Sequence, residues 1–118
     1  MAGSPSRGTM LRTLRNIDCD ESADVGVAAP CQLFGFIASN VSAGTRYLKL
    51  YNTAVAATVG TTTPQITIAI PTLQMVRFNT DKGIDFTVGI SPGATTGVAD
   101  ADTGAPGAND VILTLFYK

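Results

Sequence analysis

The chain lacks several of the side chains on which enzymes most often depend. Its 118 residues include no histidine and no tryptophan, and the only glutamate is Glu21. A serine or cysteine nucleophile needs a nearby base, and without histidine the remaining candidates are lysines and carboxylates. Neither a GxxxxGK[ST] loop nor a GxGxxG fingerprint occurs, so a nucleotide has no recognisable binding motif. We therefore predict a protein that is not an enzyme, has no catalytic residues and needs no cofactor.

Charge is also scarce. Only 14% of the residues are charged, while 45% are apolar; an ordinary soluble domain has about 25% charged residues. The net charge is −1, and the basic residues Arg7, Arg12 and Arg15 are followed by an acidic stretch. Nucleic acid is not an expected partner, because binding it needs clustered positive charge. So little charge favours a surface covered by other copies or another protein, although a small Ala/Thr/Gly-rich surface without a partner stays open.

Long apolar runs are missing as well. None approaches the roughly 18 residues that would span a membrane, and residues 1–8 lack the apolar centre of a signal peptide. Pro5 and Gly8 interrupt this start, which predicts an unstructured tail. We expect a soluble protein that is made in the cytoplasm and has no contact with a membrane.

The two cysteines, Cys19 and Cys31, stand twelve positions apart. No histidine or further cysteine is present to complete a zinc site, so no bound metal is expected. A disulfide stays possible because the pair flanks a loop that contains Gly26 and Pro30, but a cytosolic protein would keep both thiols reduced. Free, partly buried thiols are favoured.

Alternation of apolar and polar residues predicts several short strands. In residues 31–39, Phe34 and Phe36 are expected on one face and Leu33 and Ile37 on the other. Gly35 lies between the two rings, where a glycine marks a bulge or the close approach of another backbone. The other predicted strands are 46–52, which is expected to be half-buried, 66–70, 75–78, 84–90 and 110–118, which is expected to be central in its sheet.

The connections between these strands complete the predicted fold. The sequence NTDKG at 79–83 predicts a turn and therefore a hairpin, and residues 53–64 and 91–109 predict loops, the second with at most a very short edge strand. Residues 9–17 permit a helical turn or an extended arm. We predict an all-β fold, an antiparallel β-sandwich or jelly-roll-like barrel with an extended N-terminal arm. Residues 1–30 form the tail and arm, and residues 31–118 form a single β-domain.

Two carboxylate clusters and a set of tyrosines are candidate sites. The loop around Asp100 and Asp102 is rich in oxygen ligands for calcium, but it lacks the EF-hand spacing and a solvated turn is favoured. Asp81 and Asp85 flank the predicted turn, and nothing nearby would separate their pKa values for acid–base work. The three tyrosines could form a platform for a sugar or a partner chain, with ordinary packing favoured. They are Tyr47, Tyr51 and Tyr117.

Two stretches carry a resemblance to a known group of proteins. They are RYLKLYNTAVAATVGTTTPQITIAIP and KGIDFTVGISPGATTGVADADTGAPGANDVILTLFYK. A YxKxYN strand, a VGTxTP loop, an IxIxIP strand and a C-terminal LFYK-like strand follow one another in this order. The chain thereby resembles small structural proteins encoded in the virion gene clusters of tailed bacteriophages. The resemblance covers roughly residues 33–118, and its motifs contain no active site.

This resemblance implies a capsid decoration or cement protein, made in the host cytoplasm and located on the capsid surface of the virion. It implies a homotrimer that binds the major capsid protein through its N-terminal arm, with residues 53–64 and 91–109 as further contacts. The alternatives are a component of the tail or a fibre, and a module that binds host carbohydrate. The candidate contact residues are Arg12, Leu14, Arg15, Ile17, Tyr47 and Tyr51.

Overall fold

Seven antiparallel strands form two sheets in the computed structural model, which describes residues 10–118. The first sheet has the order β1-β7-β2-β5 and the second the order β4-β3-β6. The predicted all-β sandwich is confirmed. None of the described residues is helical, so this part of the chain contains no helix that could cross a membrane. The strands are β1 (Arg12–Asn16), β2 (Cys31–Asn40), β3 (Arg46–Tyr51), β4 (Ile66–Ile70), β5 (Met75–Phe86), β6 (Ser91–Thr95) and β7 (Val111–Tyr117).

The core lies between the two sheets and is built from alternate strand residues. Strand β7 contributes three of them, and it is central in its sheet because it pairs with β1 on one side and β2 on the other. Its other face is half-buried, which confirms the predicted central strand. The fully buried apolar side chains of the core include Leu33, Leu48, Leu50, Ile70, Phe86, Ile90, Val111, Leu113 and Leu115.

The predicted hairpin at 79–83 is wrong. Strand β5 runs from Met75 to Phe86 and pairs with β2 on both sides of this segment. The register passes from Gly35 opposite Asn79 to Leu33 opposite Ile84, so residues 80–83 form a bulge that faces Phe34 alone. Turn-forming residues make a bulge here because both flanks hydrogen-bond to the same neighbouring strand and the chain direction does not reverse.

The same bulge changes which side chains of β2 face the core. The predicted bulge at Gly35 is confirmed, and a Cβ added there would lie 2.5 Å from the carbonyl oxygen of Phe78. Since the bulge shifts the alternation by one residue, Leu33 and Phe36 both lie in the core, while Phe34 and Ile37 are half-buried. The expected pairing of Phe34 with Phe36 on one face is therefore wrong.

Strand β3 differs from expectation, whereas the short edge strand allowed for residues 91–109 is present. Strand β3 is not half-buried: Leu48, Lys49, Leu50 and Tyr51 are all fully buried, because chain segments cover the sheet's second face. Within the predicted loop 91–109, residues Ser91–Thr95 form the edge strand β6, which is buried throughout. The proline and glycine of this segment are typical of a loop, so the sequence gives little indication of a strand. The strand forms with small side chains and close neighbours.

The N-terminal residues are extended but belong to the sandwich. Strand β1 pairs with β7 along its whole length, and Leu14 packs against the core. Cys19 donates its backbone N–H to Val111, and Val27 bridges to Ile90. Residues 12–27 therefore pack as part of the sandwich. The predicted tail at 1–8 lies outside the described residues.

A buried amide joins the two sheets at one corner. The Nδ2 group of Asn40, at the end of β2, donates to the carbonyl oxygens of Ile70 on β4 (2.9 Å) and Gly44 (2.8 Å). Its Oδ1 accepts from the backbone N–H of Ser42 (2.9 Å) and from the Ser42 hydroxyl (2.6 Å). With only 1% of its surface exposed, Asn40 has every donor and acceptor of its side chain engaged.

Candidate functional site

The outer face of the second sheet is polar and is covered by the chain itself. The side chains of Lys49, Tyr51 and Thr95 lie on this face and are fully buried. Residues 20–24 lie along β6, where Ala94 donates its N–H to the carbonyl oxygen of Asp20. The part of this face formed by β3 and β6 is therefore a second, smaller interior, whereas Thr67 and Ala69 of β4 stay exposed.

Lys49 holds the loop at 97–104 against this face. Its Nζ donates to the carbonyl oxygen of Ala99 at 2.6 Å. Burial lowers the pKa of the Lys49 ammonium, and the charges of Asp102 and Asp100 oppose this change. The carboxylate of Asp102 accepts from the N–H of Gly104 at 2.7 Å, which shapes the same loop. The ammonium thus acts as a counter-charge beneath an acidic loop.

The predicted tyrosine contacts are corrected by these positions. Tyr51 is fully buried, burial raises the pKa of its hydroxyl, and that hydroxyl has no hydrogen-bond partner among the described residues. Tyr47 lies half-buried on the same face. An exposed platform of Tyr47 and Tyr51 is therefore not formed, because the covering segments occupy the space where a ligand would stack.

The outer face of the first sheet is uncovered and carries both polar and apolar side chains. A groove of about 890 Å³ runs across its strands. Lys118 lies over the ring of Phe34, 4.9 Å from its centre, and the bulge of β5 forms one wall. We call this feature the outer groove; its lining includes Leu11, Phe34, Ile37 and Phe116, with Arg77, Asp81 and Lys118 as the charged residues.

In an antiparallel sandwich the solvent-facing side of a sheet is usually polar. Here Lys49, Tyr51 and Thr95 on the outer side of the second sheet are buried, while the outer side of the first sheet has a groove with aromatic and aliphatic lining beside exposed polar side chains. Comparisons of this chain with protein-family models, with curated proteins and with solved structures find no match. The outer groove, with its exposed apolar lining, is the strongest candidate for a binding surface.

The sequence did not predict the outer groove. Its residues come from β2, β5 and β7 and from Leu11 and Lys118, which adjoin β1 and β7, so only the strand order brings them together. Gly35 and the NTDKG segment are the sequence signals that could have located the groove. They mark the bulge at which β2 and β5 separate.

The candidate contacts near the N-terminus fall into two groups. Arg12, Arg15 and Ile17 are exposed on or beside the edge strand β1 and stay available to a partner. Leu14 packs against the core, because it lies opposite Leu115 in the register of β1 and β7. Leu14 is therefore a packing residue of the sandwich and not a free contact.

The carboxylate clusters are dispersed in space. Asp81 and Asp85 are exposed at opposite ends of the bulge segment in β5. Among residues 10–118 no three metal-binding side chains converge, and Asp100 is exposed beside the half-buried Asp102. The loop at 97–104 is organised by Lys49 and by its own hydrogen bonds.

The two cysteines are free and buried, which confirms the favoured prediction. Burial raises the pKa of the Cys19 thiol strongly, and the charges of Asp24, Asp20 and Asp18 raise it further. Burial also raises the pKa of Cys31, with Asp85 adding to the effect. Thiols in such surroundings react slowly, because the thiolate is the reactive form.

These thiols should make the protein less stable in alkali. An unfolded cysteine ionises near pH 8.5, whereas folded Cys19 stays protonated, so its stabilising contribution is complete below about pH 8.5 and falls above it by up to about 1.4 kcal/mol per pH unit. We expect urea unfolding between pH 8 and 10 to show this decline and Cys19→Ala to reduce it. The lowered pKa of Lys49 makes the free energy of unfolding rise with pH. This effect is the same in both proteins, so it cancels when their pH dependences are compared. If the free energy of unfolding falls with pH at the same rate in the two proteins, Cys19 is not the group responsible.

Proposed function

We propose that this chain is a structural virion protein, a capsid decoration or cement protein that binds the outer shell through the outer groove. The observation that carries the proposal is the uncovered apolar groove on the first sheet, which is lined by Phe34, Ile37 and Phe116. Exposed apolar surfaces of this kind mark sites of protein–protein contact. The ordered motifs that resemble small tailed-bacteriophage structural proteins support the same function.

The chemistry of the groove suits a protein segment. Its floor is aromatic and aliphatic, and its rim carries charges of both signs, Arg77 and Lys118 on one hand and Asp81 on the other. Interfaces between proteins commonly combine an apolar centre with a polar rim. A segment of the major capsid protein that inserts apolar side chains and pairs its own charges with this rim would be bound in this way.

The mechanism that we propose is mechanical. Each bound copy adds buried area across the boundary between neighbouring shell subunits, and this raises the free energy needed to separate them. A single contact of modest affinity suffices, because an oligomer that engages several shell positions gains avidity from the linked contacts. The exposed residues Arg12, Arg15 and Ile17 extend the available surface along β1.

Substitution in the groove should weaken attachment to the shell. We expect Leu11→Ser and Phe34→Ser each to weaken cosedimentation with capsids that lack the protein by about tenfold, since buried interface anchors are each worth about 1–2 kcal/mol. Leu11 precedes β1 and is exposed, so its substitution should leave the fold intact. The measurement is a binding isotherm from the pelleted fraction at increasing protein concentration.

Matched variants separate groove binding from general loss of apolar surface. Val41→Ser and Val88→Ser also remove exposed apolar side chains, but these residues lie outside the groove and outside the other candidate contact segments. They should bind capsids as the unaltered protein does. If all four variants bind equally well, the groove is not the attachment site. If the unaltered protein ignores capsids but binds isolated tails, the function belongs to the tail or fibre alternative.

A further inference from the structure

The charged side chains of the sandwich are segregated between its two sheets. Arg46 of β3 pairs with Asp110, and Lys49 is buried against the second sheet. Every other cation of residues 10–118 lies on the first sheet or directly beside it, namely Arg12, Arg15, Arg77, Lys82 and Lys118. Apart from Asp110 and the two carboxylates of β5, the acidic residues lie on the segments 18–24 and 97–104. The first sheet is therefore the basic side of the molecule.

The strand register places two of these arginines in one row across the outer face of the first sheet. Arg15 of β1 lies opposite Thr114 of β7. Thr114 also lies opposite Ile37 of β2, and Ile37 lies opposite Arg77 of β5. Residues that face each other in paired strands share one face of the sheet, and Ile37 and Arg77 both line the outer groove. Arg15 and Arg77 are exposed, and neither forms an ion pair among residues 10–118.

The surroundings of this row are neutral. The rows on either side of it contain only uncharged residues, Thr13, Phe116, Gly35 and Asn79 on one side and Ile112, Ser39 and Met75 on the other. Asp81 is the acidic residue of the groove lining, and it lies in the bulge beyond Asn79. Two unpaired guanidinium groups thus flank a floor that holds apolar and neutral side chains.

We propose that the outer groove binds an extended acidic segment of the shell protein, whose carboxylates pair with Arg15 and Arg77. The inference rests on the proposed function, since it names the kind of segment that the groove receives. A guanidinium group suits a carboxylate because its planar fork can donate two parallel hydrogen bonds to it. Asp81 repels an acidic segment, so the bound segment lies along the row of the two arginines and away from the bulge.

The distance between the two arginines defines the segment further. Three strand-to-strand intervals of about 4.8 Å separate them, which places their Cα atoms about 14 Å apart. An extended chain covers this distance in about four residues of about 3.3 Å each. The matching segment therefore has acidic residues four positions apart. Because side chains alternate between faces, an apolar residue midway between them points at the floor formed by Ile37 and Thr114.

Two short peptides test this chemistry without capsids. The probe is acetyl-Asp-Ala-Leu-Ala-Asp-amide, and the control is acetyl-Asn-Ala-Leu-Ala-Asn-amide, which has the same shape without the charges. In an NMR titration of the full chain, we expect the acidic peptide to shift the amide signals around Ile37 and Thr114 and to bind at least about fivefold more tightly than the neutral one. Raising the salt from about 50 mM to about 500 mM should reduce this difference, since exposed ion pairs are screened.

Substitution of the arginines provides a second measurement. Arg15→Gln and Arg77→Gln should each weaken binding of the acidic peptide, and cosedimentation with capsids, by about three- to fivefold. Both side chains are exposed, so the fold should be unaffected. Lys82→Gln is the matched control, because it removes an exposed positive charge that lies outside the three rows and outside the groove lining. It should change either affinity by less than about twofold.

Several results would overturn the proposal. Equal affinity for the two peptides, no response to either at about 10 mM, or unchanged affinity in both arginine variants would contradict it. Binding of duplex DNA that is lost in the arginine variants would assign this face to phosphate groups. Salt-dependent self-association that is lost in them would assign it to the acidic segment 97–104 of a second copy.

These results are distinct from a failure of the proposed function. If the acidic peptide binds as expected but the unaltered protein ignores capsids, the proposed function fails and the pairing of the arginines with carboxylates stands. If capsid binding depends on Leu11 and Phe34 but is unchanged by both arginine substitutions, the proposed function stands and the acidic segment is wrong.

Discussion

Replacing Asn40 by aspartate should lower the free energy of unfolding by about 4 kcal/mol. The two side chains have nearly the same shape, but aspartate cannot donate to the carbonyl oxygens of Ile70 and Gly44, which are 2.9 and 2.8 Å from Nδ2. Two carbonyl groups would lose their partner and face a buried negative charge. Because the bond to Ile70 links β2 to β4, the defect lies where the two sheets meet.

Urea denaturation at pH 7 measures this loss. Asn40→Ala should cost about 2–3 kcal/mol, since it removes the same bonds without adding a charge. Gln74→Glu makes the equivalent change from amide to carboxylate at an exposed position and should alter stability by no more than about 0.5 kcal/mol. A loss below about 1 kcal/mol for Asn40→Asp would mean that the corner is hydrated and that the amide does not hold the sheets together.

The effect of this variant should also depend on pH. A carboxyl group that is buried and faces carbonyl oxygens has a raised pKa, because its charged form is disfavoured. Its cost to stability is therefore largest at neutral pH and shrinks as the pH falls through the raised value and the group becomes neutral. The difference in unfolding free energy between Asn40→Asp and the unaltered protein should thus be smaller at pH 4 than at pH 7.

Gly35→Ala should cost about 3 kcal/mol, for a steric reason. An added Cβ would lie 2.5 Å from the carbonyl oxygen of Phe78 and 3.2 Å from the Cα of Asn79. Both are backbone atoms of β5 and cannot turn aside as a flexible side chain would. Since β2 pairs with β7 on its other edge, the strand cannot move away without breaking that ladder as well.

A thermal melt compares this variant with a second glycine substitution. Gly44→Ala would bring a Cβ to 2.8 Å from a terminal nitrogen of Arg46, which is the end of a flexible side chain. We expect Gly44→Ala to change the melting temperature by only a degree or two and Gly35→Ala to lower it by about 10 °C or more. Equal melting temperatures for the two variants would show that β5 yields at the bulge.

The strands that the sequence predicts well are those with strong alternation. Strands β4 and β7 match their predicted ranges closely, because β-branched and aliphatic residues alternate without interruption. The bulge at Gly35 was also predicted, because a glycine inside a strand marks a bulge or the close approach of another backbone. The NTDKG segment fails as a turn predictor, because local turn preference is overridden when both flanks bond to the same neighbouring strand. Tertiary pairing, which local sequence does not contain, decides between a turn and a bulge.

Burial was harder to predict than strand position. Lys49 and Tyr51 stand on what an alternating pattern indicates as the exposed face of β3, but residues 20–24 and 97–104 cover them. Those segments are rich in small and acidic residues and have no periodicity that would reveal where they pack. The groove on the first sheet was not predicted either, because its lining depends on which strands are neighbours in the sheet.

The order of strands in the first sheet has a consequence for biosynthesis. Strand β7 is the last of the seven to be made, but it lies between β1 and β2, which are the first two. While the ribosome is still adding the preceding loop, β1 has no strand to pair with, and β2 has only β5 beside it. The β3–β4 pair can form before β7 is made, because only residues 52–65 separate its strands. The sandwich can close only after residue 117 has emerged, so a nascent chain passes through a stage with exposed strand edges at which it can aggregate.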